Sequence, residues 1–99
     1  MADRLTILPE ARQDLAEAFE WYEEQDPGLG QEFFRCVEAC VESIRTSTKL
    51  YPVVHEEYRR ALLRRFPYAV FYEYTDRCVT VYAVFHCARD PEKWKVRMR

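Results

Sequence analysis

Near the C-terminus the stretch VFHCARDPEKWKVR, residues 84–97, gathers the side chains best suited to chemistry. His86 is an imidazole, and an unperturbed imidazole titrates near pH 6.5, so base and acid roles are both open at cellular pH. Arg89, Lys93, Lys95, Arg97 and Arg99 follow as cations, and Trp94 is a large ring able to stack or anchor. Upstream, the RRALLRR run adds Arg60, Arg64 and Arg65, with Tyr68 just beyond. Such a set suits an acid–base site acting on an anion, a basic and aromatic contact surface, or the structured end of a strand. No acid or base stands beside His86 in sequence, and a strand-end imidazole can hydrogen-bond across a sheet while Arg89 and Asp90 fix the turn. Trp94 is costly to leave in water. Its spacing after Pro91 predicts a short turn of helix that lays the indole back on the domain.

The elements that carry these residues come from one small domain. Ninety-nine residues are too few for two independent cores. A chain 48% hydrophobic and 15% aromatic is rich enough to fold and argues against disorder. No apolar run approaches the roughly 18 residues of a membrane span. The start, MADRLTILPEAR, has an early acidic residue and no long apolar core, unlike a secretion signal, so a cytoplasmic protein is expected. The cysteines Cys36, Cys40, Cys78 and Cys87 are too few and too loosely arranged for a disulfide framework. Cys36 and Cys40 share a helix face, but no C-x-x-C spacing supports a metal site. No metal or cofactor is expected, and the cysteines read as buried free thiols.

The net charge of −2 hides a segregation: −8 over residues 1–58 and +6 over residues 59–99. Asymmetry of this size suggests a basic working surface on the C-terminal half, although two ordinary solvated faces would give the same count.

The period of the apolar residues changes between the halves. Leu5-Thr6-Ile7-Leu8 reads as a first strand. Pro9 sits where a first helical turn tolerates proline, and Ala11, Leu15, Ala18, Phe19 and Tyr22 recur at helical spacing to about Gln25. Asp26-Pro27-Gly28-Leu29-Gly30 is a turn, with Asp26 to cap and two glycines to permit unusual dihedrals. A second helix carries Leu29, Phe33, Val37, Cys40, Val41 and Ile44 and ends near Thr46-Ser47-Thr48, so the pair forms an antiparallel hairpin. Three strands follow at about 58–65, 68–75 and 78–86, joined by short turns into an antiparallel meander. Strict alternation places Val79, Val81 and Phe85 on one face and Thr80, Tyr82, Val84 and His86 on the other. Ala69, Phe71 and Glu73 likewise oppose Tyr68, Val70, Tyr72 and Tyr74. A hairpin covers only one sheet face, so the second apolar face predicts a covering partner, a shallow aromatic cleft, or tyrosines that simply tolerate exposure.

Three stretches, ARQDLAEAFEWYEEQDPGLGQEFF, RRALLRRFPYAVFYEY and VYAVFHCARDPEKWKVR, span most of the chain and resemble the RelE/ParE superfamily of toxins from bacterial type II toxin–antitoxin pairs. The F-P-Y-x-V-x-Y run and the later H-x-x-R-D-P-x-x-W are the most specific, and they look most like the ParE-type plasmid-stabilisation branch. The resemblance implies an α+β fold of order β-α-α-β-β-β, a helical hairpin packed on one face of a small, mostly antiparallel sheet. It also implies an antitoxin, encoded beside the toxin, that wraps it with a helix and an extended segment. We place that antitoxin-binding face on Phe19, Tyr22, Phe33, Phe34 and Tyr72, in a possible hetero-oligomer.

Members of the superfamily divide by target, and the residues meet the two demands unequally. ParE-like toxins poison DNA gyrase by contact, which needs an exposed basic and aromatic surface; Arg60, Arg64, Tyr68, Arg89, Lys93, Trp94 and Arg97 fit it. RelE-like toxins cut ribosome-bound messenger RNA without a metal, which needs a base, an acid and cations on the phosphate. There His86, Arg65 and Arg89 would be the catalytic residues, with Tyr68 or Trp94 stacking a base. Lysines are sparse before residue 93, and Cys87 and Ala88 stand where relatives often have glycine or a basic residue; both departures weaken the nuclease case. The expectation is therefore a gyrase-directed toxin. A ribosome-dependent endonuclease is the alternative, and a degenerate toxin that only binds its antitoxin is the third reading.

Overall fold

The computed structural model describes residues 2–88 and 93–97, with backbone only at 94 and 95. The element order is β1 (Arg4–Ile7), α1 (Pro9–Gln25), α2 (Leu29–Thr46), β2 (Val53–His55), β3 (Tyr58–Leu62), β4 (Tyr68–Thr75), β5 (Cys78–His86) and α3 (Lys93–Arg97). The five strands form one sheet in the order β1-β5-β4-β3-β2. β1 runs parallel to β5, and every other pairing is antiparallel. The α+β architecture expected from the sequence is the observed one, and the helical hairpin lies on one sheet face.

Pro9, at the start of α1, sets where β1 stops. A proline has no N–H for a ladder but suits a first helical turn, so β1 hands over to α1 after Leu8, whose N–H still reaches the Val81 carbonyl at 3.1 Å. The α1–α2 joint is tight for a different reason than expected. Only Gly28 has a left-handed backbone, φ 93°, while Gly30 lies inside α2, where a Cβ would sit 2.8 Å from the Phe19 carbonyl oxygen and 2.9 Å from its ring. Asp26 caps nothing with its side chain. Instead Glu23 of α1 accepts the Gly28 and Gly30 N–H groups, each at 2.9 Å, on one carboxylate oxygen, which satisfies donors that a helix start leaves orphaned.

The main core lies between hairpin and sheet. Tyr22, Phe33, Phe66 and Tyr68 form an aromatic cluster, with Tyr22 and Phe66 rings 4.9 Å apart and Phe33 and Tyr68 rings 5.1 Å apart. Ile44, Val70, Tyr72, Val79 and Val81 continue it. Leu63 and Phe66 turn inward to join this core, which ends β3 at Leu62 rather than at residue 65. Arg65 in the connection has φ 72°.

Two features depart from the sequence expectation. β2 is an additional, three-residue strand; it is too short to show a period, and its turn to β3 uses Glu56 at φ 51° rather than a glycine or asparagine. The second is a bulge: Phe71 pairs with Ala83, but Tyr72 pairs with Val81. Tyr82 is the extra residue, and an extra residue reverses which side chains face which way. Val79, Val81 and Val84 therefore share the main core, while Ala83 and Phe85 join Ala69 and Phe71 on the opposite face. That corrects the placement of Phe85 beside Val79 and Val81. The second face is also not bare. Ala69, Phe71, Ala83 and Phe85 are buried, packed under Val54, Tyr58 and Tyr82, with the Arg97 guanidinium 4.4 Å above the Phe85 ring.

The close approach at Gly30 gives a direct test of the hairpin. Gly30→Ala puts a Cβ against main chain that cannot yield, and should cost about 2–3 kcal/mol of stability in urea unfolding. Gly28→Ala meets no neighbour within 4 Å and should cost about 1 kcal/mol, the left-handed backbone penalty alone.

Candidate functional site

Beyond Val81 the outer edge of β5 has no strand beside it, because β1 ends at Ile7. Unpaired edge groups need partners, and two side chains supply them. Asp14, on α1, accepts the Val84 N–H at 3.0 Å. Arg97, on α3, donates to the Tyr82 carbonyl at 3.4 Å. The two side chains also meet each other: Nη1 to Oδ2 at 2.6 Å and Nη2 to Oδ1 at 3.2 Å. This two-pronged ion pair, with Asp14 only 9% exposed, ties α1, β5 and α3 together. Burial pushes the Asp14 carboxyl above its ordinary range, and the Arg97 guanidinium and the Val84 N–H pull it back only in part.

A cleft of about 370 Å³ opens beside this pair, between α1 and the end of β5. Tyr68, His86, Lys93 and Arg97 line it, which brings four of the sequence candidates together. The His86 ring stands edge-on to Tyr68 at 5.2 Å, the two residues being register partners across β4 and β5. Its Nδ1 accepts the Ala88 N–H at 3.1 Å, which makes Nδ1 the acceptor nitrogen and places the proton of the neutral ring on Nε2. The cleft also holds Asp14, Glu17 and the exposed Trp21, none of which the sequence reading singled out. Their spacing was a usable signal, since 14, 17 or 18, and 21 mark a second stripe along α1.

The remaining candidates lie elsewhere. Arg60 pairs with Phe71 and so stands exposed on the second sheet face. Arg64 and Arg65 line a different cleft, against α2, where Arg65 pairs with Glu32 at 3.2 Å. Arg89 and the side chain of Trp94 lie outside the described residues. Phe19 and Phe34 are half-buried on the hairpin, rings 4.6 Å apart. Tyr22, Phe33 and Tyr72 are interior, so the face assigned to an antitoxin keeps only Phe19 and Phe34 as accessible side chains. Tyr72 donates its hydroxyl to the Thr48 carbonyl at 2.6 Å, and burial pushes its phenol up to about 12. Burial also pushes the Cys40 thiol up to about 11. All four cysteines are free, Cys87 exposed and the others half-buried. Among the described residues no group of three His, Cys, Asp or Glu could hold a metal ion.

Among the described residues the charges of the cleft balance, Asp14 and Glu17 facing Lys93 and Arg97, and the His86 Nδ1 is taken by the Ala88 N–H.

The chain resembles a structure described as the chromosomal ParDE TA system from P. aeruginosa, with TM-score 0.75 and 14% identity, covering 84% of this chain and 94% of that one. Toxin ParE2 of Mycobacterium tuberculosis, in strains CDC 1551 / Oshkosh and H37Rv, is 29% identical over 92 residues, 92% of this chain and 88% of the relative. The family model for the ParE toxin of type II toxin-antitoxin system, parDE, matches residues 5–91. The chain therefore belongs to the ParE toxin family of type II toxin–antitoxin systems.

The ion pair makes a prediction with a defined sign. A carboxyl whose folded pKa is raised contributes stability that is complete below its unfolded value, near 3.8, and lost as pH rises through the folded value. Arg97→Ala removes an opposing influence, so the Asp14 carboxyl should titrate higher still by NMR, and that loss of stability should move to higher pH. Asp14→Ala strands the Val84 N–H and the guanidinium together. It should cost about 3 kcal/mol in urea unfolding and speed hydrogen exchange at the Val84 amide.

Proposed function

We propose that the protein inhibits growth by binding DNA gyrase in the cytoplasm, and that an antitoxin encoded beside it neutralises it. The observation that supports contact over catalysis is the state of the cleft's groups. Arg97 is committed to Asp14, the His86 Nδ1 to Ala88, and Arg60, Arg64 and Arg65 face other surfaces. Metal-free RNA cleavage would need a base, an acid and cations converging on one phosphate. Gyrase poisoning needs only a shaped surface. The end of β5 with α3 offers one, in which exposed Lys93 and Trp21 flank His86.

The antitoxin is a separate contact. On the outer side of the hairpin Leu15, Phe34, Val37 and Val41 line an apolar groove of about 310 Å³, rimmed by Gln31, Glu38 and Glu42. An amphipathic helix with basic flanks fits an apolar floor with an acidic rim. The relatives' assignment to parDE pairs supports a partner of this kind.

Purified protein should block gyrase supercoiling and leave transcripts on translating ribosomes intact. His86→Ala should inhibit gyrase within about threefold of the wild type, whereas Lys93→Glu, at the contact surface, should weaken it by about tenfold or more. Transcript cleavage that disappears in His86→Ala would instead establish the nuclease. Induced expression without growth arrest would identify a chain that only binds its antitoxin.

A further inference from the structure

The cleft on the other flank of α2, about 420 Å³ between that helix and the end of β3, lies outside the site described above. Arg35 of α2 and Arg64 and Arg65 of the β3–β4 connection stand around it. Arg65 is held by Glu32 at 3.2 Å and adopts φ 72°, a strained backbone for a side-chain-bearing residue. Among the described residues Arg35 and Arg64 have no carboxylate partner, so two uncompensated guanidiniums face one opening. Below them the floor is apolar and fixed. Cys36 and Cys40 are half-buried, Leu62 is 60% exposed at the rim, and Tyr51 is pinned by a hydroxyl contact to Ser43 and by Arg59 on its carbonyl at 2.6 Å.

Like charges converging over an apolar floor lack only a counter-anion that carries apolar surface. We propose that this cleft seats an acidic segment of the antitoxin, one apolar side chain on the floor and flanking carboxylates on Arg35 and Arg64. Planar guanidiniums grip carboxylates bidentately. The proposal rests on the antitoxin reading above and adds a second seat of opposite polarity. The groove on one side of α2 is rimmed by Glu38 and by Glu42, the latter paired with Arg45 at 2.7 Å; the cleft on the other side is rimmed by arginines, with Glu32 paired to Arg65. A segment crossing α2 must then carry basic residues on one side and acidic ones on the other, which fixes its direction and rejects antitoxins charged the other way. A nucleic acid fits less well. Its continuous negative backbone would run on towards Glu38 and Glu42, and the one aromatic ring among the described residues lining the cleft, Tyr51, is already edge-on to Tyr72 at 6.3 Å.

The test titrates the full chain with the antitoxin encoded beside it, by calorimetry at low and high salt. Arg35→Glu with Arg64→Glu should weaken binding by about tenfold or more and flatten its salt dependence. Arg4→Glu, exposed on β1 at the far edge of the sheet, should leave it within about twofold. Arg35→Gln with Arg64→Gln, a milder pair at exposed positions, should fall between, and circular dichroism checks that each variant is folded. The cleft also carries its own reporter: bound antitoxin should slow alkylation of Cys36 but not of the exposed Cys87. Wild-type binding matched by the charge-reversed variant, or Cys36 equally reactive free and bound, overturns the proposal alone. A wild-type chain that does not bind the antitoxin overturns the antitoxin reading and this seat with it. Variants that keep the antitoxin but lose single-stranded RNA overturn the peptide assignment in favour of nucleic acid.

Discussion

Because Pro9 can extend a helix but not a ladder, β1 stops at Ile7 while β5 continues to His86. Beyond Val81, β5 is thus a sheet edge without a strand on its outer side, and this end of the molecule is organised around closing it. Asp14 takes the free N–H of Val84, and Arg97 reaches the carbonyl of Tyr82. Their mutual pairing holds the short α3 in place. A five-residue helix has too few internal hydrogen bonds to persist alone, so α3 depends on this anchor. The cleft holding His86 exists because α1 and α3 meet over that edge. An edge closed by side chains rather than by a strand leaves a concave surface, where a sixth strand would have left a flat one.

The same economy governs the opposite sheet face. One bulged residue, Tyr82, shifts parity so that Val84 still meets the hairpin while Ala83 and Phe85 turn to the second face with Phe71. Without the bulge, Val84 and Phe85 would exchange sides, and the aromatic cluster around Tyr68 would lose its apolar neighbour. The second face becomes a small core under Tyr58 and Tyr82, and the Tyr82 hydroxyl donates to Glu73 at 3.3 Å. With burial raising its phenol to about 12, Tyr82 serves as a neutral lid rather than as an acid or base. An apolar pattern on two faces therefore did not require a partner to cover the second.

Elements with a period or a strong stop were legible in the sequence: both helices, β4 and β5, and the strand before Pro9. Elements set by tertiary packing were not. β3 ends early because Leu63 and Phe66 are drawn into the core, and β2 is held only by pairing with β3, with a turn at Glu56 that has no sequence signature. The site was half legible. Tyr68, His86, Lys93 and Arg97 were found from residue type, and the cleft unites them. Asp14 was hidden because an acidic residue on an acidic helix looks solvated; its role depends on a sheet edge 70 residues away in the chain. The interior places of Tyr22, Phe33 and Tyr72 were missed for the converse reason. Aromatic residues on an amphipathic stripe mark a buried face, and which rings remain at its margin depends on how closely the hairpin closes at Gly30.

The segregation of charge along the chain takes a different meaning in the folded molecule. Asp3 pairs with Arg77, Asp14 with Arg97 and Glu32 with Arg65, and each pair joins the acidic first half to the basic second half. Much of the asymmetry is thus complementarity within the protein, and only the cations left over can define a surface for a partner. Among the described residues these include Arg60 on the open sheet face and Arg35 and Arg64 around the α2 cleft. Exposed pairs such as Asp3–Arg77 contribute little to stability, whereas Asp14–Arg97 is enclosed, bidentate and bonded to main chain, so removing one partner strands the other. Arg97 is committed in this way, to Asp14 and to the Tyr82 carbonyl, and the cleft beside His86 takes its shape from that pairing.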